Sequence, residues 1–143
     1  GVYALNVDNG EYVWQAPAGD DVCLGRPGCY PGYSAAISVT ADYVLAGSNE
    51  GWLRAFDIGS GEVLWEFDTT QPFTAVDGRI AQGGSIGGGQ APLIVGDRLI
   101  LNSGYAFAGK MPGNALLVLS LPASDAQVAA EFGAQVLVDT AAK

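Results

Sequence analysis

The chain has 143 residues, 49% hydrophobic and 15% charged, so its length suits one domain with a packed core. Its formal net charge of −9 argues against nucleic acid or an anionic membrane surface as partner, because both demand basic patches. With no histidine, Ser-His-Asp hydrolysis, Cys-His proteolysis and His-ligated zinc are excluded within this chain, and no apolar run reaches transmembrane length.

Residues 2–7 (VYALNV) read as a strand, Asp8-Asn9-Gly10 as a hairpin turn, and Glu11 to Gln15 as the returning strand. No Met precedes Gly1, which stands in what reads as mid-strand, so the chain is expected to be a piece of something longer. Residues 16–33 are rich in Gly, Pro and Asp and read as a loop. Within it lies CLGRPGC, where Gly25, Pro27 and Gly28 favour a tight loop between Cys23 and Cys29. Two thiols held so close would oxidise in a secreted or periplasmic protein. A two-thiolate metal site is the rival reading, short of ligands without histidine or a second Cys pair.

Four strands are then expected, at Ser34 to Val39, Tyr43 to Gly47, Trp52 to Ile58 and Glu62 to Phe67. Short turns join them into one antiparallel unit over about residues 34–67. Residues 68–90 read as a long, structureless, Gly-rich link. Further strands follow at Ala91 to Val95, Arg98 to Asn102 and Ala115 to Leu121, with a Gly-rich loop over 103–114. The Ala-rich tail from Pro122 to Lys143 changes character. Ser124 or Asp125 is positioned to cap a helix over 126–132, Gly133 to end it, and AQVLVD to form a strand.

One segment occurs twice. VYALNVDNGEYVWQ (2–15) and LRAFDIGSGEVLWE (53–66) share Ala4/Ala55, Gly10/Gly61, Glu11/Glu62 and Trp14/Trp65 at an offset of 51. That period is close to one blade of a β-propeller. A repeat unit of this kind cannot bury its own apolar face and needs neighbours. Gly10 and Gly61 suit a turn that needs positive φ. Trp14 and Trp65 end their strands with a ring that buries up to about 250 Å², several kcal/mol at ~25 cal/mol per Å². These four residues read as blade-docking structure, not as chemistry. The fold class expected is all-β, a partial propeller of about two and a half to three four-stranded blades.

The two segments resemble the repeat of pyrroloquinoline quinone (PQQ) proteins, roughly A-x-D-x-x-T-G-x-x-x-W, which stands here from Ala55 through Asp57 and Gly61 to Trp65. Ser60 replaces the usual Thr; in the first copy, Asn6 replaces the Asp and Asn9 the Thr. A second set of strings is more specific: CLGRPGCYPGYSAA, AGSNEGWLRAFD, VLWEFDT, GGSIGGG, NSGY and GNALLVLS. In order and spacing they resemble the C-terminal part of polyvinyl-alcohol dehydrogenase-like quinoproteins, over about residues 1–121, leaving 122–143 as a tail outside the resemblance.

The resemblance implies an eight-bladed parent with PQQ and calcium near the axis, placed in the periplasm or secreted. It implies oxidation of an alcohol to a carbonyl, with electrons passed to cytochrome c. The partners implied are the remaining blades and a cytochrome c, with no membrane span. Such a chain, too short for the ring, would be inactive alone. The alternative is a non-catalytic propeller of the same superfamily, acting as a protein-interaction scaffold in the cell envelope.

In such enzymes the cofactor supplies the redox chemistry. The residues expected near it are small ones where a blade's innermost strand begins: Ser34, Ala35 and Ala36, and Gly83, Gly84 and Ser85. Asp20, Asp21, Asp68 and Asp77 lie in loops or strand ends, but no spacing marks a calcium site and no catalytic base is assigned. GGSIGGG lacks the Lys-Ser/Thr of a nucleotide-binding loop. Arg54 is expected to meet a carboxylate or the quinone, and Asp42, Glu50 and Asp97 to be solvated at turns.

Overall fold

A computed structural model describes residues 1–19 and 22–120, and the backbone of Leu137–Asp139. The described residues are all-β, in four antiparallel sheets. β1 (Val2–Leu5) pairs with β2 (Tyr12–Ala16). A four-stranded sheet follows in the order β3 (Ser38–Val39), β4 (Tyr43–Gly47), β5 (Trp52–Asp57) and β6 (Val63–Asp68). β7 (Pro72–Thr74) and β8 (Ile80–Gln82) form a small hairpin. The last sheet joins β9 (Leu93–Val95), β10 (Arg98–Ser103), β11 (Ala115–Ser120) and β12 (Leu137–Asp139).

Alternation along the strands makes the sheets stack. In the central sheet, Leu45 pairs with Ala55 and Gly47 with Leu53, on one face; Val44 pairs with Phe56 and Ala46 with Arg54, on the other. Both faces are covered. Leu45, Leu53 and Ala55 pack with Leu99, Leu101, Leu117 and Leu119 of the last sheet. Val44, Ala46 and Phe56 pack with Val2 and Trp14 of the first hairpin. Sheets buried face to face in chain order are consistent with blades of a propeller.

The two copies of the repeat fold alike. In one, Asn6 N–H donates to Glu11 O (2.8 Å) and Gly10 N–H to Asn6 O (2.8 Å). In the other, Asp57 N–H donates to Glu62 O (2.8 Å) and Gly61 N–H to Asp57 O (2.9 Å). Gly10 and Gly61 take φ of +72° and +74°, which side chains rarely adopt. Trp14 lies over Gly61, where a Cβ would come within 2.5 Å of its ring, and its indole N–H donates to Ile58 O at 2.9 Å. Trp65 faces the last sheet, stacked on Phe67 (centroids 5.8 Å apart).

Three expectations are corrected. The link over 68–90 is not structureless: it holds β7–β8, pinned because Phe73, Ala75 and Ala81 are buried in the main core. The strand expected from Ser34 pairs only at Ser38–Val39, because the chain before it is held by loops instead of a ladder: Ser34 Oγ donates to Asn49 Oδ1 at 2.7 Å. The loop over 103–114 contains a short 3-10 turn, Phe107–Gly109. In the tail, Leu137–Asp139 pairs with β11 and completes a fourth strand, while the expected helix over 126–132 lies outside the described residues.

Candidate functional site

The connections divide between the two ends of the sheets. At one end lie the tight turns at 6–11, 40–42, 58–62 and 96–97. At the other lie the irregular segments: 22–37, 48–51, the links 69–71 and 83–92 on either side of the β7–β8 hairpin, and 104–114. The strings that carry the family resemblance outside the repeat gather at this second end.

Residues 82–86 bind the loops there together. Ser85 Oγ donates to Asn49 O (2.5 Å) and accepts Met111 N–H (3.0 Å). Ser85 O accepts the N–H groups of Gly104 (2.9 Å) and Tyr105 (2.8 Å), and Ile86 N–H reaches Ser48 O at 2.9 Å. Ser103 Oγ accepts Gly84 N–H (2.8 Å) and meets Thr69 Oγ1 at 2.8 Å, while Thr69 Oγ1 also bonds Gly51 O at 2.7 Å. Thr69, Ser85 and Ser103 are buried, and such polar groups require partners. Glycine makes the approach feasible: a Cβ on Gly83 would strike Thr69 O, and one on Gly104 would strike Gly113.

Glu50 is not solvated at its turn; its side chain is 1% exposed. Its carboxylate accepts Arg54 Nη1 (2.9 Å) and Gly32 N–H (3.2 Å). Arg54 also reaches Glu66 (3.2 Å) and Tyr33 Oη (2.9 Å) and sits over the Trp52 ring. A buried carboxylate must be paired, and the arginine four residues along β5 supplies the pair. Burial pushes the Tyr33 phenol above its ordinary value, though Arg54 pulls against it. Burial also works against the Arg54 charge, but Glu50 and Tyr33 outweigh it and hold its pKa above the usual value.

The disulfide loop lies across these segments. Cys23 and Cys29 are bonded. Between them Arg26 donates to Thr70 Oγ1 (3.2 Å) and Glu50 O (3.5 Å), and Gly28 abuts Gly109 O, which a Cβ would approach to 2.9 Å.

The residues expected near a cofactor fall into two groups. Gly83, Gly84 and Ser85 are buried against neighbouring loops, with Met111 and Pro112 carbonyls against Gly84. Ser34 and Ala36 are exposed and Ala35 half-buried, where the chain enters β3. Gly87 lies beside Ser34, and Gly87 and Gly88 both lie under the Tyr105 ring. Ser38 Oγ donates to Pro92 O, so the entries to β3 and β9 run side by side. A cleft of about 540 Å³ opens next to them, lined by Gly87 to Gln90, Asn102 to Tyr105 and Gly113 to Leu116.

The acidic loop residues are engaged elsewhere. Asp68 Oδ1 accepts Thr70 N–H (2.8 Å) and Oγ1 (2.7 Å). The Arg79 side chain and N–H hold the Asp77 carboxyl below the ordinary carboxylate range. Asp57, the repeat's acid, accepts Ser60 N–H (2.7 Å), Ser60 Oγ (2.9 Å) and Gly59 N–H (3.0 Å), which together hold its pKa down. Asp20 and Asp21 lie outside the described residues. Among the described residues, no three Cys, Asp or Glu converge as a metal centre would require. Asn49, Thr69, Ser103 and Tyr105 were given no role from sequence. The signal available was their place in AGSNEGW and NSGY, and at the end of VLWEFDT, just past the repeat.

No family model matches the chain. It is 41% identical over 108 residues to polyvinylalcohol dehydrogenase of a Pseudomonas species, covering 74% of this chain and 17% of that protein. It is 38% identical over 109 residues to polyvinylalcohol dehydrogenase of Sphingopyxis (74% and 16%), and 31% identical over 106 residues to quinoprotein ethanol dehydrogenase of Pseudomonas aeruginosa (69% and 16%). The chain thus spans about a sixth of the length of the curated relatives it matches. Stacked antiparallel sheets, a repeat that folds alike twice and identity of this level agree: the chain is homologous to a segment of the polyvinylalcohol dehydrogenases.

Proposed function

We propose that the chain is part of a PQQ-dependent alcohol dehydrogenase of the polyvinyl-alcohol type, oxidising an alcohol to a carbonyl and passing electrons to cytochrome c in the periplasm. The observation that carries this reading is the 41% identity to polyvinylalcohol dehydrogenase, supported by a quinoprotein ethanol dehydrogenase among the other relatives. Residues 1–121 would form part of an eight-bladed ring, with residues 34–67 a complete blade and other blades covering the open faces. Ile100, Leu116 and Val118 of the last sheet are only half-buried among the described residues, which supports that arrangement.

The quinone, when bound, supplies the redox chemistry, and the protein binds and orients it. The residues fit a supporting part in this. Ser34, Ala35 and Ala36 with Gly87 and Gly88 would form one side of the mouth at the loop end, small enough for a planar group to approach the backbone. Gly83, Gly84 and Ser85 would act from beneath, by fixing the loops that form it. Trp14, Trp65, Gly10 and Gly61 would dock blades. Among the described residues no set of carboxylates comes together as calcium would require, and no catalytic base is assigned. No helix among the described residues is long and apolar enough to cross a membrane. A non-catalytic scaffold gains no support, since the relatives named above are all dehydrogenases.

The test is reconstitution. A complete parent loaded with PQQ and calcium is expected to reduce an artificial electron acceptor when given a secondary alcohol. A folded parent that binds no quinone overturns the reading.

A further inference from the structure

A buried donor at the loop end has no partner. Asn49 is 8% exposed. Its backbone is engaged on both sides: the N–H donates to Gly32 O at 2.7 Å, and the carbonyl accepts Ser85 Oγ at 2.5 Å. Its side-chain oxygen accepts Ser34 Oγ at 2.7 Å. Its amino group, Nδ2, meets no acceptor among the described residues. A side-chain amide carries two N–H donors there, and buried polar groups require partners. Aspartate would serve the bonds to Ser34, Gly32 and Ser85 as well as asparagine does. Only the amino group tells the two apart.

The space beside that group is open. A Cβ on Gly32 would stand 3.7 Å from Nδ2 and, its chain neighbours aside, would meet no other atom within 4 Å. Ser34, bonded to the same amide, stands at the mouth proposed above for the quinone, with Gly87 and the Tyr105 ring beside it. Lys110 holds its ammonium 5.7 Å from the centroid of that ring, and no carboxylate pairs with it among the described residues. A free donor and an unpaired cation at one mouth call for the same chemistry. A carboxylate brings acceptors alone, and its bond to an N–H is of the stronger, charge-assisted kind. We propose that Asn49 is a binding residue whose amino group donates to a carboxylate of the ligand seated at this mouth, with Lys110 attracting the same anion. The proposal rests on the quinone reading, since PQQ carries carboxylates, and it names the group of this chain that would hold one.

The complete parent, in calcium buffer and without alcohol, would be titrated with PQQ and separately with a pyridine dicarboxylate, which lacks the quinone. Tryptophan fluorescence would report binding. Asn49→Asp keeps an oxygen for Ser34 and turns the free donor into an acceptor. It is expected to weaken PQQ binding about tenfold or more near neutral pH. Relative to the unsubstituted protein, that loss is expected to shrink as pH falls and the new carboxyl, once protonated, donates again. A merely structural asparagine would give no such recovery. Lys110→Gln, at a residue outside the Asn49 bonds, is expected to weaken binding severalfold and to reduce its dependence on salt. Equal affinity with Asn49 and Asn49→Asp would mean that the amino group holds only a water, which overturns the proposal and leaves the dehydrogenase reading intact. If circular dichroism shows Asn49→Asp unfolded, unchanged affinity in Lys110→Gln overturns it instead. A parent that binds the dicarboxylate through Asn49 but never PQQ sinks the quinone reading and leaves this site standing. Binding of neither overturns both.

Discussion

The two ends of the sheets are built by different rules. At the tight-turn end, the same hydrogen bonds recur at an offset of 51: Gly10 to Asn6 and Gly61 to Asp57. Each side chain there acts on its own turn or on the next sheet. At the loop end nothing recurs. Buried hydroxyls of Thr69, Ser85 and Ser103 bond to backbone from distant loops, and each loop holds another. The period therefore encodes packing, and the departures from it encode the surface where chemistry is proposed.

Substitutions test that division. Trp14→Ala removes both the ring over Gly61 and the bond to Ile58 O, and is expected to cost about 3–5 kcal/mol in chemical denaturation. The loop end should keep its hydrogen-exchange protection; losing it there too would show that the ends are not independent. Glu50→Ala, at the other end, leaves Arg54 half-paired and the Gly32 N–H without its acceptor, at a cost of about 3 kcal/mol, somewhat less to the extent that Glu66 and Tyr33 retain Arg54. Replacing Cys23 and Cys29 by Ser is expected to cost about 2 kcal/mol through the lost ring closure, with hydrogen exchange rising around Arg26 and Thr70.

Glycines sharpen the comparison within one end. Gly10 and Gly61 have the same φ, but a Cβ at Gly10 meets nothing within 4 Å while one at Gly61 meets Trp14. Gly10→Ala is expected to cost about 1 kcal/mol from conformation alone, and Gly61→Ala about 1–3 kcal/mol more from overpacking. Equal costs would mean that the indole contact contributes nothing.

The smallest effects are titrations, and they act at opposite extremes. Asp57 is depressed in the folded chain, so its contribution is present above the unfolded value of 3.8 and is lost as pH falls through the folded value. Asp57→Asn should flatten the acid limb of the stability curve, since Asn6 makes the equivalent turn in the first copy. The Tyr33 phenol is raised, so its contribution is present below 10.0 and is lost as pH rises through the folded value. Tyr33→Phe should remove that alkaline loss; an unchanged slope above pH 10 would count against the burial of the phenol.

Much of the regular end was legible in the sequence. The strand Tyr43–Gly47 is where its apolar run stands, and the repeat marks both Asx turns. The hairpin β7–β8 was missed because its strands are three residues long and only Phe73, Ala75 and Ala81 point into the core. Asp77-Gly78 within that segment was the available turn signal. Glu50 was misread because the sequence shows a polar turn, SNEG, and burial of that turn is decided by loops distant in the chain. The loop end is built from long-range polar bonds, and spacing along the chain does not record these.

The Trp14–Gly61 contact has a consequence for how such chains lengthen. Each copy of the repeat carries a hook, its indole, and an eye, its turn glycine. A tandem duplication copies both at once. The new unit arrives able to latch the one after it and to be latched by the one before, without any new surface having to be invented.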